Sequence, residues 1–255
     1  MQSRFEACGF LVDVDGTLVS GGKALPEARQ FLSDLHDRFV LVSNDAEHTP
    51  SELAHKLQSL QLPVPAERIV LAGTTAIDEV AVERPGARVM LLASASLQAY
   101  ARQAGLRIVK DKAEVVVLGR DRHFSYDKLA TAANVIRGGA TLVVANPDLM
   151  HPAPQAAVVP ETGALLAALL ACAGRVPYRV VGKPEPTLFT AALALLGTPP
   201  EATVMIGDNP ATDGEGARRL GIGYIEVHDG RLLHVVSADK RAESMEPAAY
   251  MASPP

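Results

Sequence analysis

Four polar clusters in this chain each stand directly after a short apolar run. They read Asp13-Val14-Asp15-Gly16-Thr17, then Ser43-Asn44, then Gly182-Lys183-Pro184, then Gly207-Asp208-Asn209-Pro210-Ala211-Thr212-Asp213. Together they form an inventory for phosphoryl transfer. Asp13 and Asp208 offer the hard oxygen ligands that suit Mg²⁺, which takes few carboxylates and keeps room for water and a substrate phosphate. A carboxylate such as Asp13 can also be a nucleophile, forming an acyl phosphate and splitting hydrolysis into two steps. An anion that attacks a phosphate dianion needs its charge offset, which Mg²⁺ and the ammonium of Lys183 would do. Ser43 and Asn44 bring neutral donors for the remaining phosphate oxygens. Asp15 is suited to protonate the leaving alkoxide and then to activate water.

Each cluster alone has an ordinary explanation. An Asp-x-Asp pair occurs by chance or in metal-dependent glycosyl transfer, and a lone lysine is usually a solvated charge. Ser-Asn is a common turn, and Asp208 with Asp213 fits a loop followed by a helix cap. The setting gives the four their meaning, because each follows an expected strand. In open α/β sheets, sites form where strands end at their carboxyl ends.

The elements that would position these clusters follow from hydrophobic periodicity. Strands are expected at 9–14, 39–42, 178–181, 203–206 and 223–227, with helices at 25–38, 51–60, 163–173, 186–196 and 213–220. Thr49-Pro50 resembles an N-cap with proline at the first helical position. In the middle, strands at 89–92, 115–118 and 141–144 alternate with helices at 97–104 and 126–136. Alternation of this kind implies an α/β fold, a doubly wound parallel-sheet (Rossmann-like) core with helices on both faces. The expected division is a core at 1–83 and 178–255, with an inserted α/β cap at 84–177. Residues 228–236 suggest a hairpin, and the tail after Lys240 shows no period.

With these motifs in hand, the chain resembles the haloacid dehalogenase superfamily: D-V-D-G-T-L, Ser43-Asn44, Lys183 and G-D-N-P-A-T-D match its four motifs in order. The segments V-V-V-L-G-R-D-R-H-F-S-Y-D-K-L, A-N-P-D and G-K-P-E-P resemble the NagD-type phosphatases, over about residues 10–227. The resemblance implies Asp13 as nucleophile, Asp15 as acid/base residue, and Ser43 and Lys183 as phosphate ligands. It implies Asp13, Asp15 (through its backbone carbonyl) and Asp208 as Mg²⁺ ligands, with Asp213 in an outer shell. The separation of about 140 residues between Ser43 and Lys183 puts the cap between the second and third motifs. A cap loop that covers the active site in such relatives falls here on Asn146 to Pro152, which makes His151 a candidate substrate-binding residue. The chain departs from the pattern at Asp45, Ala46, Glu47 and His48, at Ala93-Ser94-Ala95-Ser96, and at Gly214-Glu215-Gly216. Asp45 and Glu47 either repel anionic substrates or only begin the following helix.

Composition narrows the field. With 24 Lys+Arg against 29 Asp+Glu the net charge is −5, which argues against a general nucleic-acid binder. Cys8 and Cys172 lack metal-site or disulfide spacing and read as small buried hydrophobes. No signal peptide is read at the N-terminus, and the most apolar stretch, 164–173, is too short to span a bilayer. A cytoplasmic protein with a small-molecule phosphate ester as partner is expected, without nucleic acid or membrane, and a homodimer is allowed. A phosphotransferase of the same fold or a catalytically weak phosphometabolite-binding protein are the alternatives. A dehalogenase would need neither Mg²⁺ nor the second aspartate.

Overall fold

The structure, a computed structural model, describes residues 9–152, 157–228, 230 and 231. Cys8, most of the hairpin expected at 228–236 and the tail after Lys240 lie outside them.

Two parallel five-stranded sheets organise the described residues. The first is built from β1 (Gly9–Val12), β4 (Phe39–Ser43), β5 (Ile69–Leu71), β13 (Thr203–Gly207) and β14 (Gly223–Glu226), in the order β14-β13-β1-β4-β5. Strand β1 pairs with β13 on one side and with β4 on the other, so the winding reverses beside it. Such a reversal opens a crevice at the carboxyl ends of the strands. The second sheet runs β12-β9-β8-β6-β7, from β6 (Arg88–Leu92), β7 (Arg107–Ile108), β8 (Val115–Leu118), β9 (Thr141–Val144) and β12 (Tyr178–Val180). From sequence, β12 is expected in the first sheet. It instead pairs parallel with β9, Tyr178 opposite Leu142 and Val180 opposite Val144. Nothing local encodes a strand's neighbour, so this assignment was out of reach of periodicity.

Side chains alternate across each strand, and three apolar clusters follow. Phe10, Val12 and Leu41 face Phe31, Leu32 and Leu35 of α1 (Ala28–Leu35) and Leu53 and Leu57 of α2 (Pro50–Ser59). Leu11, Val40, Val42 and Met205 face the opposite way, into a cluster shared with Val89, Leu91, Val117 and Val143 of the second sheet. Leu188 and Phe189 of α7 (Pro186–Leu196), with Ala76 and Ile77 of α3 (Ala72–Glu83), fill that shared layer. The far face of the second sheet packs on α5 (Tyr126–Arg137) and α6 (Thr162–Ala173). Because one core continues from sheet to sheet, the crevice beside β1 has a fixed opposite wall.

Most elements begin and end for local reasons. Thr49 caps α2 with a full capping box to Glu52. Ser94 caps α4 (Ala95–Gln103), and its hydroxyl also donates to the Glu47 carbonyl at 2.5 Å, so the unusual Ala93–Ser96 segment is a tie to the loop after β4. The glycines after Asp213 are explained by packing: a Cβ on Gly216 would fall 2.1 Å from the Phe189 ring. There a π-helical turn, Pro210–Gly214, leads into α8 (Glu215–Leu220). Cys172, expected inside, is exposed on α6, because Leu166, Leu169 and Ala173 take the buried face. None of the described helices is long and apolar enough to cross a membrane.

Candidate active site

Asp13 is the first residue beyond β1. Its N–H donates to the Ile206 carbonyl at 2.9 Å, which carries the β1–β13 ladder one step on and holds the residue at the crevice. Its buried carboxylate lies 2.5 Å from Lys183 Nζ through Oδ1 and accepts from the Thr17 hydroxyl at 3.3 Å through Oδ2. Lys183 Nζ also donates to Asp213 Oδ1 at 2.6 Å and to the Val42 carbonyl at 3.2 Å. Three acceptors thus meet the three ammonium protons. Burial alone would push the ammonium toward neutrality, but the charges of Asp13 and Asp213 prevail and hold it protonated.

For Asp13 the balance goes the other way. Burial is the largest influence and raises its pKa, Lys183 lowers it and Asp213 raises it again, leaving the carboxyl at about 8. Burial, and then Asp213, also raise Asp208, which is exposed just past β13. Asp13, Asp208 and Asp213 can each bring one carboxylate oxygen to within 4.8 Å of the others. Fully ionised, this all-oxygen set would carry more negative charge than one ammonium balances, and it fits a hard divalent cation. Asp213 already gives Oδ1 to Lys183, and its Oδ2 accepts from the Asn209 N–H at 3.3 Å. Gly16 makes the cluster possible: at φ +86°, a Cβ there would lie 2.0 Å from Asp208 Oδ2.

Ser43 ends β4, buried, its Oγ accepting from the Asp45 N–H at 3.1 Å. Asn44 is occupied differently from the sequence expectation. Its Nδ2 donates to Asp148 Oδ2 at 3.0 Å and to the Lys183 carbonyl at 3.1 Å, and its Oδ1 accepts from the Lys183 N–H at 2.7 Å. What Asn44 has left for a phosphate is its backbone N–H.

Asp45 and Glu47 neither start α2 nor stand as bare charges. Asp45 Oδ1 accepts from the Glu47 and His48 N–H groups, both at 2.8 Å, and Oδ2 sits 2.7 Å from His48 Nδ1. Burial opposes ionisation of Asp45, but His48 and these amides outweigh it and hold the pKa low. Glu47 turns to the second sheet, 3.1 Å from Arg120 Nη1 and 3.6 Å from Arg122 Nη1.

Asp15 is solvent-exposed at the mouth, where the turn after Asp13 enters a hairpin of β2 (Val19–Ser20) and β3 (Lys23–Ala24). Gly21 and Gly22, at φ +55° and +74°, make its two-residue turn. Loss of hydration against the walls of the cleft raises the Asp15 pKa, and the charge of Asp45 raises it further. A protonated carboxyl is what a general acid requires. His151 lies on β10 (Met150–Pro152), paired antiparallel with β11 (Val158–Pro160). Its Nδ1 is 2.5 Å from Glu161 Oε1. Asp148, Arg120 and Glu161 were not singled out from sequence as site residues. A polar Arg-Asp-Arg run straight after the β8 pattern was the available signal for Arg120.

Comparison with known proteins shows the family. The family profile described as haloacid dehalogenase-like hydrolase matches residues 10–107, and one described as HAD-hydrolase-like matches 180–252. The chain is 33% identical over 224 residues to a dihydroxyacetone phosphatase of Corynebacterium glutamicum, covering 87% of this chain and 81% of that one. It is 31% identical over 225 residues to the 5'-nucleotidase YutF of Bacillus subtilis, covering 87% of each. Among solved structures, it is similar to the glycerol phosphate phosphatase Rv1692 of Mycobacterium tuberculosis in complex with magnesium, with TM-score 0.80, 33% identity, and coverage of 87% of this chain and 67% of that one. On these motifs, this fold and these relatives, the chain belongs to the haloacid dehalogenase-like hydrolases, as a phosphatase of the NagD type.

Proposed function

We propose that this chain is a Mg²⁺-dependent enzyme that hydrolyses a small-molecule phosphate monoester through an aspartyl-phosphate on Asp13. The observation that carries the reading is the convergence of Asp13, Lys183 and Asp213, buried together at 2.5 and 2.6 Å, with Asp208 beside them. Asp13 and Asp208, with the Asp15 backbone carbonyl, would hold the metal, and Asp213 would support Lys183 from outside that set. When bound, the metal supplies positive charge to the phosphate oxygens and to the attacking carboxylate.

The chain's own residues do the rest. One oxygen of Asp13 attacks phosphorus. The Lys183 ammonium, fixed by its acceptors, stays protonated and balances charge on a phosphate oxygen. The Ser43 hydroxyl and the Asn44 N–H donate to the others. Asp15 gives its proton to the departing alkoxide, then takes one from the water that opens the acyl phosphate. The core is taken as 1–83 and 181–255 and the cap as 84–180, the boundary moved three residues from the sequence expectation because β12 pairs with β9. The names of relatives, among them a dihydroxyacetone phosphatase and acid sugar phosphatases, favour a small hydroxylated substrate.

The test is phosphate release from 4-nitrophenyl phosphate. Turnover is expected with Mg²⁺, none in excess chelator, and none for Asp13→Asn, which keeps the side-chain shape without the nucleophile. Turnover by Asp13→Asn, or turnover in chelator, would refute the mechanism.

A further inference from the structure

Four consecutive carbonyls in the turn after β4 are held from outside that turn. The Asn44 carbonyl accepts from Asn146 Nδ2 at 2.5 Å, that of Asp45 from the Gly73 N–H at 3.0 Å, that of Ala46 from the Arg120 N–H at 2.9 Å, and that of Glu47 from the Ser94 hydroxyl at 2.5 Å. The donors stand just past β9 and β8, at the N-cap of α4 and in the first turn of α3. Two glycines permit the approach. A Cβ on Gly73 would lie 3.0 Å from Ala46 Cα, and one on Gly119 would lie 2.9 Å from the Ala46 carbonyl oxygen. A turn fixed carbonyl by carbonyl resists rotation of its peptide planes.

The first of these peptides, between Asn44 and Asp45, bears on the phosphate site. Its other end, the Asp45 N–H, donates to Ser43 Oγ at 3.1 Å. A trans peptide is planar, with C=O and N–H pointing in opposite directions, so the group that holds the Asn44 carbonyl also aims the Asp45 N–H. A serine hydroxyl has one proton to give and two lone pairs. With one lone pair taken by Asp45, the Ser43 proton is turned away from that peptide. Ser43 is buried, yet its proton meets no acceptor among the described residues. Were the peptide to flip, its carbonyl would face Oγ and take that proton instead. Asn146 is 1% exposed and commits its whole amide to this arrangement: Oδ1 accepts from the Asp148 N–H at 3.1 Å, which leaves Nδ2 as the end that meets Asn44.

We propose that Asn146 is a positioning residue that, through the peptide between Asn44 and Asp45, presents the Ser43 proton to the substrate phosphate. The proposal rests on the phosphatase reading above. The role concerns the phosphate group alone, so its effect should be the same whatever alcohol the phosphate is bound to.

The test measures the Kd of inorganic phosphate with Mg²⁺ present, by calorimetry, together with KM and kcat for glycerol 3-phosphate and 4-nitrophenyl phosphate. Asn146→Asp is close in shape but sets a carboxylate oxygen against the Asn44 carbonyl, and Asn146→Ala removes the donor. Each should raise the phosphate Kd by roughly 10-fold or more, the scale of a lost hydrogen bond to a charged group. KM should rise by a similar factor on both esters, with a smaller fall in kcat, because the bond is made in ground state and transition state alike. In a Ser43→Ala background neither change should cost anything further, since all three remove one interaction. Additive losses, a loss confined to one ester, or an unchanged phosphate Kd would overturn the proposal. So would a Ser43→Ala variant that binds phosphate as the wild type does, a readout that needs no Asn146 variant to fold. Circular dichroism checks folding, and loss of the fold in both Asn146 variants would make that residue part of the scaffold and equally defeat the proposal. A wild type active on both esters whose variants fail these tests defeats this proposal alone. A wild type that releases phosphate from neither ester with Mg²⁺ defeats the phosphatase reading, and this proposal falls with it.

Discussion

The side-chain amide of Asn44 brackets the backbone of Lys183, accepting from its N–H at 2.7 Å and donating to its carbonyl at 3.1 Å. The same amide donates to Asp148 at 3.0 Å, and Asn146 Nδ2 donates to the Asn44 carbonyl at 2.5 Å. A residue of the β4 loop thus sets the height from which the ammonium reaches Asp13. Asn44→Ala should lower stability by about 1–3 kcal/mol, the range for leaving buried partners unsatisfied, with a fall in kcat larger than the rise in KM. Thermal unfolding and steady-state kinetics check both. A variant with wild-type kcat would reduce Asn44 to a structural tie.

Asp15→Asn separates proton transfer from phosphoryl transfer. An alkyl phosphate, whose alkoxide must be protonated, should lose on the order of 10²–10⁴-fold in kcat. 4-Nitrophenyl phosphate, with a good leaving group, should lose much less. Equal losses on the two esters would contradict the acid role.

The carboxylate cluster predicts a pH dependence of stability. The Asp13 pKa is raised to about 8 in the fold, mainly by burial, above its ordinary 3.8. Between those values the folded state binds more protons than the unfolded state, so stability should fall as pH rises from about 4 through 8. Added Mg²⁺ competes with those protons, so its stabilising effect should grow over the same interval. Thermal melts at pH 5.5, 7 and 8.5, with and without Mg²⁺, test both signs (pH values chosen roughly to span the window). A Mg²⁺ shift that shrinks with pH would be inconsistent with binding at these carboxylates.

Gly16→Ala adds one methyl group in a left-handed turn and drives it against Asp208. The backbone strain is about 1–2 kcal/mol, but displacement of Asp208 should matter more. The expected result is a folded protein whose activity needs a much higher Mg²⁺ concentration. Mg²⁺ titration of turnover, with circular dichroism as the control, decides it.

The grouping of Asp13, Lys183, Asp208 and Asp213 was legible because they sit just after strands, where polar groups interrupt strong apolar runs such as Phe39 to Val42. The exact bounds of β9 and α7 were equally plain, since each has a clean local period. Helix α3 was missed because its first half, Ala72 to Ile77, is buried all round and only Asp78, Val82 and Glu83 stand exposed, so little polar face marks its period. The β10–β11 pair escaped because three-residue strands carry almost no alternation. The partners of Asn44, Glu47 and His151 are 139, 73 and 10 residues away. Local pattern had no means to show that the first two face the opposite sheet.

Strand β1, which leads into Asp13, lies between a neighbour made soon after it and one made nearly two hundred residues later, Gly9 opposite Thr203. Lys183 arrives almost as late, delivered from the edge of the other sheet. On the ribosome, the early chain therefore carries Asp13 with neither its cation nor half of its sheet. Pairings this distant in sequence form slowly, because a long loop must close before any contact rewards it. The emerging polypeptide therefore carries Asp13 without Asp208 and Asp213 until its last quarter is synthesised, and the carboxylate set is complete only in a finished molecule.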